Sequence, residues 1–162
     1  MTRADRSFTI VVLADNTLAT LNRIISVLRA RRFDVLSMTP ARTPTADRQG
    51  ISIVIGSSLV PVQRIVACLD KIEEVKAVRA IEGGRAVCRE LMLLKVGREA
   101  ASTGLLADML RDGICRVIDE SGSAIIVEMV GEPAELGRVV DSLPGDAVID
   151  LARIGPATVW RD

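Results

Sequence analysis

Residues 8–14 (FTIVVLA) form an unbroken apolar, β-branched run, the composition of a strand buried on both faces. The polar triplet Asp15-Asn16-Thr17 follows, and its short oxygen-bearing side chains offer acceptors for the free N–H groups that open a helix. Leu18, Leu21, Ile24, Ile25 and Leu28 then recur at spacings of three and four, which predicts an amphipathic helix running to about Arg32. Asn22, Arg23, Arg29 and Arg31 fall on its other side.

The pattern then changes period. Residues 33–38 (FDVLSM) predict a second strand, and Pro40, Pro44 and the polar run TADRQG predict a hairpin loop. Residues 51–56 (ISIVIG) predict a third strand. Ser57-Ser58 and Pro61 open a second helix with Leu59, Val62, Ile65, Val66 and Leu69 on its apolar face. Residues 75–81 (VKAVRAI) predict a fourth strand, so the order is β-α-β-β-α-β. Glu82-Gly83-Gly84-Arg85 breaks the pattern as a junction.

The same order then repeats. Strands are predicted at 91–96, 114–119, 124–130 and 148–154, and helices at 103–110 and 133–143. Glu120-Ser121-Gly122-Ser123 makes a turn, and Pro144-Gly145 ends the last helix. The expected fold class is α+β: two tandem ferredoxin-like (βαββαβ) modules, each an antiparallel sheet with helices on one face. The expected domains are 1–82 and 88–162, joined by a linker at 83–87. Because IVVLA, ISIVI, LMLL and AIIV are apolar almost throughout, the second face of each sheet is also expected to be covered. A second copy of the chain is the simplest cover, which predicts a homodimer.

Composition narrows the function classes. Lys+Arg and Asp+Glu both total 21, so no net basic footprint exists for nucleic acid. Two Phe, one Trp and no Tyr leave no aromatic platform for stacked bases. The absence of His removes the commonest general base near neutral pH and the commonest transition-metal ligand. Cys68, Cys88 and Cys115 are widely spaced and odd in number, so they are expected to be reduced small hydrophobes. The leading MTRADRS and the short apolar run after it suit neither a signal peptide nor a membrane span. A cytoplasmic protein without membrane or nucleic-acid partner is expected.

No catalytic or metal constellation emerges. Ser57-Ser58 has no His partner and no G-x-S-x-G context, and reads as a helix cap. Glu73-Glu74, Asp119-Glu120 and Glu99 read as solvated charges at element ends. Gly83-Gly84 lacks G-x-G-x-x-G and follows the fourth strand of its unit rather than the first. The turn DNTLATL (15–21) is the one segment with binding chemistry, because a helix N-terminus favours an anion such as a ligand carboxylate. Two readings stand side by side there: Asn16 and Thr17 contact a ligand, or they cap the helix.

Five segments in register carry a family resemblance across nearly the whole chain. FTIVVLADNTLATLNRIISVLRARRFDVLSMT (8–39) resembles the opening ACT segment, with its "sRRGfNIeSLt" strand, of the acetolactate (acetohydroxyacid) synthase small regulatory subunit. VQRIVACLDKIEEVKAV (62–78) is similar to that family's "leQi.kqL.KLi.V..V", and CRELMLLKV (88–96) to "sRELaLiKV". IDESGSAIIVEMVG (118–131) resembles "iDvs..sltve.tG", and IDLARIGPATVWRD (149–162) resembles "iE.aRSG..aLsRG".

The resemblance implies an ACT domain at 1–82 that dimerises and senses an amino acid, usually valine, at the dimer interface. It implies a non-catalytic chain that binds and activates a separate catalytic subunit. Thiamine diphosphate, FAD and magnesium belong to that partner, so no cofactor is expected in this chain. The implied effector site comprises Asn16, Thr17, Leu18 and Ala19 from the first turn, with Asp34 and Val35 from the second strand. Asn16 matches the Asn of the family's "E-N-x-x-G-x-L" loop. Ala19 stands where that loop usually has Gly, Asp34 where the strand has Asn, and Arg32 where "RRG" ends in Gly. These departures keep open a free-standing amino-acid sensor and an activating subunit that has lost effector sensitivity.

Overall fold

The computed structural model describes residues 7–56, 61–81, 86–120 and 122–161. The chain divides into two compact units, Met1–Val87 with Ala157–Asp162, and Cys88–Pro156. The first contains β1 (Ser7–Asp15), α1 (Leu18–Ala30), β2 (Val35–Arg42), β3 (Arg48–Gly56), α2 (Val62–Leu69) and β4 (Val75–Ala80). Its strands pair antiparallel in the order β2-β3-β1-β4.

Period-two alternation decides which side chains enter the core. Ile10 lies opposite Ile53, and Val12 lies between Ile51 and Val78. These residues pack with Ile24 and Leu28 of α1 and Ile65 and Leu69 of α2. Burying each such side chain contributes about 1.5–3 kcal/mol, so this face holds the unit together. The opposite face carries Val11, Leu13, Ser52 and Val54 by the same alternation. Leu13 is exposed there, so the expected second cover is not complete within one chain. At the β4 side the guanidinium carbon of Arg79 lies 5.7 Å from the centroid of Trp160.

Helix α1 closes on a double hydrogen bond. The Phe33 N–H donates to Leu28 O at 3.1 Å and the Arg32 N–H to Arg29 O at 3.0 Å. This pairing turns the chain through Arg32 at φ 54°, a left-handed conformation that favours glycine. Arg32 thus carries a side chain at a turn whose backbone favours glycine.

The second repeat runs β5 (Ala86–Gly97), α3 (Arg98–Ala101), α4 (Gly104–Arg111), β6 (Cys115–Asp119), β7 (Ala124–Gly131), α5 (Pro133–Ser142) and β8 (Val148–Trp160). Its sheet has the order β6-β7-β5-β8, which repeats the placement seen in the first. Met92, Leu94 and Val96 lie opposite Met129, Val127 and Ile125, and pack under Leu106, Leu136 and Val139. Both modules thus have the expected ferredoxin-like architecture.

Several boundaries differ from the sequence expectation. Pro40 lies inside β2, not in a loop, because β2 is an edge strand where a missing N–H breaks no ladder bond. β8 continues past Gly155-Pro156 to Trp160 for the same reason, since it too is an edge. Gly155, at φ 132°, lets β8 approach closely: a Cβ there would meet Arg89 O and Glu90 Cα at 3.1 Å. Residues Ala157–Asp162, expected in the second domain, group with the first. The one-turn helix α3 was not expected. Ala86 and Val87 of the expected linker open β5.

The Ser57-Ser58 cap, Leu59, the Glu82–Arg85 junction with its Gly83-Gly84 pair, and Ser121 of the turn lie outside the described residues. No helix among the described residues is long and apolar enough to cross a membrane.

Candidate functional site

The β1–α1 turn is held from two sides. Asp15 ends β1 opposite Arg48, and its carboxylate pairs with the Arg48 guanidinium and, at 3.3 Å, with Lys76 Nζ. Gln49 Nε2 donates to Asp15 O at 2.9 Å, and the Asp15 N–H donates to Glu74 O at 2.9 Å. The turn is therefore tied to β3 on one side and to the start of β4 on the other.

Asn16 continues this clamp. Its N–H donates to Asp47 O at 2.9 Å and its Nδ2 to Ala46 O at 3.3 Å, both on the β2–β3 hairpin. The residue is exposed. Thr17 is the helix cap: the Thr20 N–H donates to Thr17 Oγ1 at 3.1 Å, and the two hydroxyls lie 2.8 Å apart. Such a cap contributes about 1 kcal/mol. Leu18 and Ala19 open the helix fully on the surface, Leu18 being 79% exposed.

Asp34 and Val35 lie elsewhere. The Gly56 N–H donates to Asp34 O at 2.8 Å, and a Cβ on Gly56 would come within 2.5 Å of Asp34 Oδ2. Gly56 pairs with Ser7 at the start of β1, whereas Asn16 follows the end of β1. Nine residues of strand separate the two groups by roughly 30 Å, at about 3.3 Å per residue. Within one chain, the residues from Asn16 to Ala19 come together, and Asp34 and Val35 come together, but the two sets do not meet.

The anchors Arg48, Gln49 and Lys76 were not singled out in the sequence. Their signal was weak, because a charged residue at a strand end is ordinarily solvated. Cys115 is buried, and burial pushes its thiol pKa up, away from nucleophile chemistry. Among the described residues no group of three or more His, Cys, Asp or Glu could hold a metal ion.

Two tandem ferredoxin-like modules, each a four-stranded antiparallel sheet with helices, define the fold class of the chain. No family model matches it. Curated relatives are more specific. The chain is similar to the acetolactate synthase small subunit of Mycolicibacterium smegmatis, with 26% identity over 161 residues covering 99% of this chain and 95% of the relative. It is similar to the probable acetolactate synthase small subunit of Archaeoglobus fulgidus, with 27% identity over 154 residues covering 94% and 96%. The crystal structure of the acetolactate synthase small subunit from Thermotoga maritima superposes with a TM-score of 0.77 at 22% identity, covering 96% of this chain and 98% of that one. That superposition shows the same fold.

Proposed function

We propose that this chain is a non-catalytic regulatory subunit that binds and activates an acetolactate synthase catalytic subunit. The observation that carries this reading is the end-to-end correspondence with proteins named as small subunits of that enzyme, in which neither chain has a large unmatched part. Thiamine diphosphate, FAD and magnesium are assigned to the catalytic partner. The role of the present chain is to supply a folded surface and a responsive module.

We further propose that the first module pairs with a second copy and holds a branched-chain amino acid, valine first, between the two. The separation of Asn16–Ala19 from Asp34–Val35 supports this, because only a second chain can bring one set to the other. Exposed Ile25 on α1 and exposed Val35 and Leu36 on the edge strand β2 supply apolar surface for that pairing. A ligand bridging two copies regulates if it binds one arrangement of the pair more tightly than the other.

One observation favours a second reading, activation without effector response. Asn16 Nδ2 is already engaged by Ala46 O, and Asp34 offers a negative charge where the family has a neutral amide. Two measurements separate the readings. Co-purification with the catalytic subunit of the same organism tests the partnership, and absence of any complex would leave only a free-standing sensor. Titration calorimetry of the full chain with valine, leucine and isoleucine tests sensing; heat at millimolar ligand supports it, and none supports the insensitive activator.

A further inference from the structure

The β1–α1 turn takes most of its braces from the hairpin that joins β2 to β3. Arg48 and Gln49 hold Asp15, and the carbonyls of Ala46 and Asp47 accept from Asn16. Of residues 46–49 only Gln49 is buried. Packing alone therefore does not fix the tip of the hairpin, and its carbonyls stay in place only if the bend is held.

Thr43 holds it. Its Oγ1 donates to Thr45 O at 2.8 Å and lies 3.1 Å from Arg48 O, so the hydroxyl meets both ends of the bend. The Arg48 N–H closes the same bend on Thr45 O at 3.0 Å. A Cβ built on Gly50 would lie 3.8 Å from Thr43 Cγ2, so the methyl group of Thr43 rests over that glycine. Hydroxyl and methyl thus have different partners, and substitution can separate them.

The second unit braces its matching turn in another way. The Gly97 N–H donates to Ala147 O at 3.3 Å and the Arg98 N–H to Ser123 O at 3.1 Å, the counterparts of the Asp15 and Asn16 bonds. Arg98, at the position matching Asn16, also lays its guanidinium on the hairpin, donating to Gly122 O at 3.0 Å and to Glu120 O. That turn is covered by its own side chain. In the first unit the hairpin is held from within by Thr43, and Asn16 to Ala19 remain exposed.

Resting on the reading that the first-module turn binds an amino acid, we infer that Thr43 is a positioning residue for that effector. Its hydroxyl holds the bend, and the bend holds Asn16 through the Ala46 and Asp47 carbonyls. The turn then meets its ligand already ordered, so binding does not spend free energy on ordering it. Thr43 acts through Asn16 and does not itself contact the ligand.

Thr43→Val removes the hydroxyl and keeps the branched methyl, whereas Thr43→Ser keeps the hydroxyl and loses the methyl. The full chain and both variants are titrated with valine by calorimetry, and each is assayed for thermal midpoint and for activation of the catalytic subunit. Thr43→Val is expected to bind valine about fivefold more weakly, the scale of one lost hydrogen bond, and Thr43→Ser to stay within about twofold of the unaltered chain. All three are expected to activate alike. Without ligand, the Asn16 backbone amide is expected to exchange with solvent faster in Thr43→Val than in Thr43→Ser. An affinity that follows the thermal midpoint instead of the hydroxyl would make Thr43 a merely structural residue and overturn the proposal. Binding by the unaltered chain with unchanged affinity in Thr43→Val overturns this inference alone. No binding by the unaltered chain overturns the sensing reading and this inference together.

Discussion

Arg153 Nε donates to Glu90 Oε2 at 3.0 Å, joining two residues 63 positions apart. The Arg153 guanidinium also donates to Pro133 O at 3.1 Å at the start of α5. Glu90 belongs to the CRELMLLKV segment and Arg153 to IDLARIGP, two of the segments that carry the family resemblance. Their pairing gives both a shared structural reason: together with Gly155 they seat β8 on β5. Glu90 is buried, and the Arg153 guanidinium is its ion-pair partner.

Removing Arg153 therefore leaves a buried carboxylate without its cation. Arg153→Met is expected to lower stability by about 2–3 kcal/mol, discounted because the arginine itself is part-exposed. The double variant Glu90→Gln, Arg153→Met should recover much of the loss. Urea denaturation of the three chains checks this, and strictly additive losses would show that the two side chains do not interact.

Arg32 offers the opposite case, a substitution that should stabilise. Its φ of 54° costs a side-chain-bearing residue about 1 kcal/mol that glycine avoids. Arg32→Gly is expected to raise the thermal midpoint by a few degrees. A lower midpoint would mean that the Arg32 side chain contributes more than its backbone strain costs.

The β1–α1 turn separates two roles by residue. Thr17→Ala removes the side-chain cap and should cost about 1 kcal/mol of stability. Asn16→Ala removes one long hydrogen bond to the hairpin and should cost less. Under the proposed function, Asn16→Ala weakens any effector response and leaves activation of the catalytic subunit largely intact. Equal loss of both responses would reduce Asn16 to a structural tie.

Thiol reactivity checks the cysteine assignment. Burial raises the Cys115 pKa, so less thiolate is present at any given pH. Cys68 and Cys88 are only half-buried and should be alkylated first, with Cys115 reacting after denaturation. Mass spectrometry of the timed reaction reads the order, and early labelling of Cys115 would contradict its burial.

The fold was legible because its signals are local and repeated. Spacing finds Ile24 and Leu28 on the core face of α1 but also takes in Leu18 and Ile25, which are exposed, while alternation finds Ile51, Ile53 and Ile55 on β3. The misses have a common cause, since Pro40 and Gly155-Pro156 end elements in isolation but not on edge strands, and edge position is a tertiary fact. The candidate site was legible only in part. Thr17 as a cap follows from its chemistry, whereas the Asp15 clamp by Arg48 and Lys76 depends on strand order. The distance between Asn16 and Asp34 depends on it too, and no spacing in the sequence discloses it.

Acetolactate formation by the catalytic subunit, measured with increasing amounts of this chain, tests the central claim most directly. The account predicts no turnover by the chain alone and a rate that rises with added chain to a plateau. A rate unchanged at saturating chain, or appreciable turnover of pyruvate by the chain by itself, would contradict it.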